Sequence, residues 1–107
     1  MARVYIGVGS NIDPERNVPE AISRLSRVVR ITGVSTFYRT AAEDRPGQPP
    51  FINGVLEIET DLSPFDLKFG VLRRIEEELG RVRGADRYAP RTIDLDILLY
   101  NNLVMKN

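Results

Sequence analysis

The sequence lacks two residue types that carry much of enzyme chemistry: its 107 residues include no cysteine and no histidine. Without cysteine, the chain can form neither a disulfide framework nor a catalytic thiolate. Without histidine, it lacks the commonest general base and the commonest zinc ligand, which excludes serine–histidine and cysteine–histidine hydrolases. A metal site in this chain must therefore be built from oxygen ligands.

The sequence also has no excess of either charge and no long apolar segment. Fifteen basic and fifteen acidic residues give a net charge of zero, so bulk charge predicts neither a nucleic-acid partner nor binding to an anionic membrane. No apolar run approaches the length of a membrane span, and none at the N-terminus resembles a signal peptide. The composition is typical of one globular domain over residues 1–107, and we expect a cytoplasmic enzyme or ligand-binding domain.

The apolar patterns predict an alternation of strands and helices. The predicted strands cover residues 3–9, 34–40, 51–58 and 93–100, with a short fifth strand at 103–105. A first helix begins near Asp13-Pro14 or Asn17, and Thr32-Gly33 interrupts the pattern after it. The order βαββαβ predicts a ferredoxin-like α+β sandwich, in which an antiparallel sheet has both helices on one face.

The second helix has clear boundary signals. Ser63 is a plausible N-cap followed by Pro64 at the first helical position, and Gly80 marks the end. Its apolar stripe is expected to lie in the core and consists of Phe65, Phe69, Leu72, Ile75 and Leu79. Between the second and third strands, residues 41–50 contain three prolines and a glycine. This long loop is either mobile or functional.

The most informative stretch is Arg91-Thr92-Ile93-Asp94-Leu95-Asp96 at the head of the last long strand. Because side chains alternate along a strand, Asp94 and Asp96 point the same way, roughly 7 Å apart at Cα. Leu95 and Ile97 should then face the helices, and the two carboxylates should face the uncovered side. Two such carboxylates repel each other unless a cation lies between them, and Mg²⁺ accepts this kind of oxygen ligand.

Several arginines precede the acidic pair. Residues 80–91 contain four of them, at positions 81, 83, 87 and 91, against the single Asp86. The planar guanidinium group suits phosphate oxygens, so acids and arginines together indicate a metal–nucleotide site. Taken alone, the arginines are also compatible with an ordinary solvated loop, and the acids with a solvated pair at the sheet rim.

Read together, these motifs resemble the 6-hydroxymethyl-7,8-dihydropterin pyrophosphokinases of folate biosynthesis. The resemblance runs from residue 3 to about 105. The matching motifs are Gly9-Ser10-Asn11, Phe37-Tyr38-Arg39-Thr40, Phe51-Ile52-Asn53, Gly80-Arg81-Val82-Arg83 and Arg87-Tyr88-Ala89-Pro90-Arg91-Thr92-Ile93-Asp94-Leu95-Asp96-Ile97. The resemblance implies that ATP donates its terminal diphosphate to the hydroxymethyl oxygen of the pterin and that AMP leaves.

The resemblance also implies a nucleotide side of the site. Asp94 and Asp96 would bind two Mg²⁺ ions that bridge the ATP phosphates. The implied catalytic residues are Arg81, Arg91, Asp94 and Asp96. The implied ATP-binding residues are Glu76, Arg81, Arg83, Arg87 and Arg91. For Glu76, a charge on the helix surface is the alternative interpretation.

On the pterin side, the resemblance implies that Asn53 hydrogen-bonds the edge of the heterocycle and that Phe51 stacks on its ring. These roles agree with the two-way hydrogen bonding of an amide and with the affinity of flat rings for aromatic faces. The implied pterin-binding residues are Thr40, Ala41, Ala42, Phe51, Asn53 and Asp94. Asn53 bonding only locally and Phe51 packing in the core are the alternative interpretations.

Family members usually continue past the fourth strand into a segment with a histidine-containing nucleotide contact, another arginine and a second aromatic residue. This sequence ends at Asn107 without such a segment, and we expect either an incomplete chain or a short variant with a reduced site. Two other functions therefore stay open. One is a short, catalytically impaired ferredoxin-like domain that binds nucleotide or pterin. The other is an acylphosphatase-type hydrolase, which leaves Asp94 and Asp96 unexplained.

Overall fold

The structure, a computed structural model, describes residues 1–41, 47–82, 84 and 90–104. Within this part of the chain, strands and helices alternate in the predicted way. The elements are β1 (Ala2–Ser10), α1 (Pro14–Ser26), β2 (Arg30–Val34), β3 (Tyr38–Thr40), β4 (Phe51–Thr60), a π-helix (Asp66–Leu72), α2 (Arg73–Glu78), β5 (Asp94–Tyr100) and β6 (Leu103–Val104). No helix in these ranges is both long and apolar enough to cross a membrane.

The strands form one antiparallel sheet with β1 near its centre. The order across the sheet is β2-β4-β1-β5-β6, and β3 pairs with β4 beside the path. Since β2 and β3 together occupy the place of one predicted strand, this order is that of a ferredoxin-like α+β fold. The predicted fold class is confirmed. Because β1 lies between β4 and β5, both neighbours begin next to the end of β1.

The core lies between one face of the sheet and the helices. Alternate residues of β1, namely Val4, Ile6 and Val8, are at most 2% exposed. In the register of the sheet, Ile6 lies beside Leu56 on one side and Ile97 on the other. The helices contribute the buried side chains of Val18, Ala21, Leu25, Leu67, Val71, Leu72 and Ile75. Leu95 and Ile97 belong to this core as predicted. Because side chains alternate along β5, its two aspartates lie on the other face of the strand.

The predicted strand 34–40 is wrong in its bounds. The chain enters the sheet earlier, at Arg30, and a shift in the pairing of β2 with β4 between Ile31 and Gly33 accommodates the glycine that suggested an interruption. Such a bulge keeps a strand in its sheet despite a local change of register. The break comes later, at residues 35–37, where the Ser35 hydroxyl accepts a hydrogen bond from the Val55 N–H at 2.8 Å.

The second helical segment differs from the prediction in which side chains it buries. Phe65 and Phe69 are 69% and 44% exposed, whereas Leu67 is fully buried. The reason is the π-helix, whose wider turn moves each residue around the axis relative to an α-helix. One of its characteristic hydrogen bonds runs from the Arg73 N–H to the Lys68 carbonyl, five residues back. The α-helical spacing of apolar residues therefore predicted the wrong buried face at the start of this helical segment.

The end of α2 is positioned by Gly80, as the sequence predicts. Gly80 has φ 86°, a left-handed conformation that glycine adopts without strain. The Gly80 N–H donates to the Glu77 carbonyl, and the Arg81 N–H donates to the Glu76 carbonyl, both at 3.0 Å. This pair of bonds is a Schellman-type helix end. It turns the chain so that Arg81 follows the helix directly toward the start of β5.

Candidate active site

Gly9 of β1 lies between two of the predicted site residues. It pairs with Asn53 of β4 on one side and with Asp94 of β5 on the other. Neighbouring strands are about 4.8 Å apart, so the Asn53 and Asp94 backbones are roughly 10 Å apart across one glycine. A Cβ at position 9 would come within 2.8 Å of the Asn53 Oδ1 and 3.9 Å of the Phe51 ring. Glycine therefore leaves open the space between the amide and the carboxylate.

Asp94 and Asp96 are both half-buried and alternate with the core residue Leu95. Burial of the Asp96 carboxyl, together with the charge of Asp94 and a hydrogen bond to it, raises the pKa of Asp96 to about 6. Nearby Glu76 acts in the same direction, and the Arg81 charge opposes it. The two carboxylates therefore lie close enough to destabilise each other when both are ionised, and a cation between them would relieve that repulsion.

Arg81 connects this pair to the helices. Its Nη1 donates to the Asp94 Oδ1 and to the Glu76 Oε2, both at 2.6 Å. The Arg81 and Glu76 side chains are only 10% and 2% exposed. Hydrogen bonds between ionised partners in such surroundings are the strong ones. Glu76 is thus a buried partner of Arg81, so its interpretation as a helix-surface charge is wrong.

Glu76 also completes the edge of the sheet. β6 pairs with Leu99 and Tyr100 only, so within the described residues the start of β5 has no strand on its outer side. There the Leu95 N–H donates to the Glu76 Oε2 at 2.8 Å. This donor belongs to the residue between the two aspartates. The helix carboxylate therefore holds the strand that presents them.

Arg91 reaches the acidic pair from the other direction. Its Nη1 lies 3.3 Å from the Asp94 Oδ2, so Asp94 interacts with a different arginine through each of its carboxylate oxygens. The backbone of Arg91 is bonded to Asn11, which follows β1. Four of the predicted residues, Arg81, Arg91, Asp94 and Asp96, thus lie around one point at the head of β5.

An open cavity of about 220 Å³ is formed beside this point. Its lining contains four cationic and three anionic side chains: Lys68, Arg73, Arg81, Arg91, Glu76, Asp94 and Asp96. Lys68 and Arg73 were missed by the sequence analysis. Their spacing of five residues gave no signal, because the sequence predicted an α-helix, in which residues five apart point in different directions, and the π-helix was not foreseen. A polyanion such as a triphosphate suits a cavity with this balance of charge.

The donor set fits Mg²⁺. In residues 1–41, 47–82, 84 and 90–104, no group of three or more acidic side chains is arranged to hold a metal ion. Asp94 and Asp96 therefore supply two carboxylates at most. Mg²⁺ is commonly bound by one or two carboxylates together with substrate phosphates and water. The cationic cavity beside the pair is where such phosphates would lie.

The residues predicted to bind the pterin cluster at the junction of β3 and β4. Tyr38 pairs with Asn53, and Thr40 pairs with Phe51. The Asn53 Nδ2 donates to the Thr40 hydroxyl at 2.6 Å, and the exposed Ala41 follows immediately. The local hydrogen bond leaves the Asn53 Oδ1 directed over Gly9, as the close approach to a Cβ there indicates.

Three predicted site residues cannot be placed in this geometry. Ala42, Arg83 and Arg87 lie outside the described residues. Of the others, Phe51 is half-buried at the start of β4 and faces the same space over Gly9. The described residues therefore form one site with a charged side at β5 and an amide side at β4.

The sequence was also compared with those of known proteins. The sequence model of the family described as 7,8-dihydro-6-hydroxymethylpterin-pyrophosphokinase (HPPK) matches residues 5–106. The chain belongs to the HPPK family. As an HPPK chain, it contains both Asn53 and the two aspartates within the matched region.

Three curated HPPK relatives are named 2-amino-4-hydroxy-6-hydroxymethyldihydropteridine pyrophosphokinase. The Haemophilus influenzae protein is 43% identical, with 100% of this chain and 68% of the relative covered. The Pseudomonas aeruginosa protein is 40% identical, covering 96% and 64%, and the Bacillus subtilis protein is 44% identical, covering 91% and 59%. The chain thus spans about two thirds of the length of the curated HPPK proteins that it matches.

Proposed function

We propose that this chain catalyses the Mg²⁺-dependent transfer of diphosphate from ATP to the hydroxymethyl group of 6-hydroxymethyl-7,8-dihydropterin, releasing AMP, as a step of folate biosynthesis. Membership of the HPPK family supports the reaction class. The observation that carries the proposal for this chain is the pairing of Gly9 with both Asn53 and Asp94. Because of this pairing, the Asn53 amide, which suits a heterocycle, and the carboxylates, which suit a metal ion bound to phosphate, face the same open space.

The reaction needs alignment more than covalent help. The hydroxymethyl oxygen attacks the β-phosphorus of ATP, and the bond from that phosphorus to the oxygen bridging the α-phosphorus breaks. AMP leaves with the bridging oxygen, and the hydroxyl proton passes to solvent or to a carboxylate. Phosphoryl transfer of this kind depends chiefly on positioning and on neutralising charge over the phosphate oxygens.

The charged side of the site is suited to that task. Arg81 and Arg91 each contact one oxygen of Asp94, so both guanidinium groups lie where phosphates held near the acidic pair would be. Bound Mg²⁺, two ions by the family resemblance, would neutralise phosphate charge and would be held by Asp94 and Asp96. Lys68 and Arg73 extend the cationic surface along the cavity. Arg83 and Arg87 are proposed as further nucleotide contacts on the sequence resemblance alone.

The amide side would hold the pterin. The Asn53 amide can donate and accept, which matches the donors and acceptors along the edge of the heterocycle. Thr40 fixes that amide through a 2.6 Å hydrogen bond, and Phe51 offers an aromatic face beside it. Ala41 and Ala42 would line the same pocket. The cytoplasmic location expected from the sequence stays a prediction.

The decisive experiment measures AMP formation from ATP, Mg²⁺ and 6-hydroxymethyl-7,8-dihydropterin. We expect turnover by the wild-type chain that requires both Mg²⁺ and the pterin. The double variant Asp94→Asn/Asp96→Asn should lose AMP formation while its circular dichroism spectrum is retained. The matched control is Glu59→Gln, which changes a carboxylate at the far end of β4, beside Arg30, and should retain activity.

Three results would overturn the proposal or a part of it. Full AMP formation by the double variant would remove the acidic pair from the mechanism. Binding of the ATP analogue and the pterin by the wild-type chain without any AMP release would favour the catalytically impaired binding domain instead. Turnover unaffected by a chelator would exclude the Mg²⁺ requirement.

A further inference from the structure

Phe69 is an aromatic residue that the proposed reaction does not use. It lies on the π-helix and is 44% exposed, although so large an apolar side chain is more often buried. Two cations lie over its ring: the Lys68 Nζ is 5.4 Å from the ring centre, and the Arg73 Cζ is 4.8 Å from it. Both distances are within the roughly 6 Å range of a cation–π interaction. The ring therefore contacts two cations that line the cavity.

These two cations differ from the two arginines beside the acidic pair. Arg81 and Arg91 each form an ion pair with Asp94. Within the part of the chain that the structure describes, the side chains of Lys68 and Arg73 form neither an ion pair nor a hydrogen bond. The Arg73 Nε is also buried, and an unpaired buried donor is unfavourable. The positive charge of this part of the cavity is therefore not neutralised by the protein.

An aromatic ring can hold a cation without cancelling its charge. The face of the ring attracts cations through its quadrupole, whereas the net charge of the ring is zero. A carboxylate in the place of Phe69 would also attract Lys68 and Arg73, but it would leave less positive charge for an anionic ligand. Because the ring is neutral, both cations keep their full charge where they line the cavity.

The π-helix brings these three side chains together. The Arg73 N–H donates to the Lys68 carbonyl, so one wide turn closes between the two cationic residues and contains Phe69. Leu67, in the same helix, is fully buried and anchors it to the core. An α-helix would not place residues five apart on one side. The arrangement of two cations over one ring is therefore a consequence of the π-helical winding.

We infer that Phe69 is a positioning residue that holds Lys68 and Arg73 over the cavity as unneutralised cations for the phosphates of the nucleotide. The inference rests on the proposed function. The ring limits the conformations of two long side chains in the free protein, so less conformational entropy is lost when they bind phosphate. Substitution of Phe69 should accordingly change nucleotide affinity and leave the chemical step unchanged, because the ring acts only through the two cations.

The test measures the dissociation constant of a non-hydrolysable ATP analogue with Mg²⁺ by calorimetry, together with kcat for AMP formation. Phe69→Leu retains an apolar side chain and removes the aromatic face. It should weaken binding of the analogue by about threefold, the size expected of partly exposed cation–π contacts, with kcat unchanged. Phe69→Tyr retains the ring and should bind the analogue as the wild type does.

The double variant Lys68→Met/Arg73→Met tests whether the ring acts through the cations. It removes both charges and should bind the analogue about tenfold more weakly or worse, since charge-assisted bonds to phosphate are strong. Adding Phe69→Leu to this variant should not weaken binding further, because effects of residues that act together are not additive. A purely structural role of the ring would instead weaken binding equally with and without the cations.

The matched control is Phe65→Leu. Phe65 is the more exposed of the two aromatic residues, at 69%, and its ring centre is 4.7 Å from that of Phe69. Among the described residues, no cation lies over the Phe65 ring. This variant therefore disturbs packing beside Phe69 and leaves the cation–π contacts in place, and it should bind the analogue nearly as the wild type does. None of the substituted residues belongs to the core, so every variant should retain its circular dichroism spectrum.

The outcomes separate the inference from the proposed function. An unchanged dissociation constant in Phe69→Leu or in Lys68→Met/Arg73→Met overturns the inference and leaves the proposed function standing. Equal losses of affinity in Phe65→Leu and Phe69→Leu have the same effect, because they would assign the loss to packing. A wild-type chain that neither binds the analogue nor forms AMP removes the proposed function, and the inference with it.

Discussion

The charged side of the site and its amide side are held in different ways. On the charged side, Arg81 and Glu76 are nearly buried, and their hydrogen bonds are short. On the amide side, β3 is exposed along its whole length, and Asn53 is held by a single described side-chain bond to Thr40. The charged side is therefore preorganised, whereas the amide side is open to solvent.

The difference follows from what each side must bind. A buried ionised group is stable only when paired, so the acids and arginines that would bind metal and phosphate must also satisfy one another in the free protein. A neutral amide on an exposed strand needs no such partner. Substitutions should consequently affect folding on the charged side and ligand affinity on the amide side.

The largest effect that would test this difference is expected at Glu76. Glu76→Ala removes one of the two carboxylates on Arg81 and the acceptor of the Leu95 N–H. Breaking a buried ion pair in this way should lower the free energy of unfolding by about 3 kcal/mol or more. Urea denaturation measures the loss. The control Glu78→Ala, whose exposed carboxylate pairs with Arg24, should change it little, and equal losses would contradict the contrast.

Arg91 is also on the charged side, but its substitution should affect catalysis and leave stability nearly unchanged. Its side chain is 30% exposed, so Arg91→Ala should fold, and its guanidinium should act on charge that develops during transfer. We expect kcat for AMP formation to fall about 10²-fold with little change in the pterin KM. Arg30→Ala, at the exposed outer strand, is the control. An unchanged kcat in Arg91→Ala would remove this residue from the mechanism.

On the amide side, Asn53→Ala should leave folding nearly intact and weaken pterin binding. Loss of an amide that pairs with the heterocycle should raise the pterin KM by about tenfold, within the usual range for a removed hydrogen-bond partner. Steady-state kinetics at saturating ATP measures the change. Asn102→Ala, in the exposed turn before β6, should behave as wild type. A fall in kcat without a rise in the pterin KM would contradict the assignment of Asn53 to pterin binding.

The smallest effect is expected at Thr40. Thr40→Val retains the side-chain shape and removes the hydroxyl that accepts from the Asn53 Nδ2. Pterin affinity should fall by about threefold, since one neutral hydrogen bond contributes modestly. Thr40→Ser retains the hydroxyl and should restore binding, which calorimetry can measure. If the serine variant were no better than valine, the orientation of Asn53 would not depend on this bond.

Local sequence patterns predicted much of the fold. The strands that became β1 and β5 are short apolar runs with turn signals at their ends, and Gly80 ends the second helical segment through its own backbone geometry. The bounds of β2 and β3 were wrong because a bulge and the Ser35 hydroxyl depend on β4, a partner that lies far along the chain. Phe65 and Phe69 were placed in the core because their spacing matches an α-helix.

The candidate site, like the fold, was predictable from the sequence only in part. The motif around Asp94 and Asp96 predicted two acids on one face, since strand alternation is a local property. The positions of Glu76 and Lys68 beside those acids were not predictable, because they depend on the winding of a helix against an open strand edge. The hydrogen bond from the Asn11 Nδ2 to the Gln48 Oε1 joins residues 37 positions apart, which a motif search cannot detect.

The sequence by itself determined the chemistry available to this protein: no thiol and no imidazole, an acidic pair for a hard cation, and arginines for phosphate. These follow from residue identity and the two-residue period of a strand. Only the tertiary structure decided that Gly9 separates Asn53 from Asp94 and that a buried carboxylate holds the edge of β5. Both depend on which strands pair and in what register, and that is set by the burial of side chains distant in sequence.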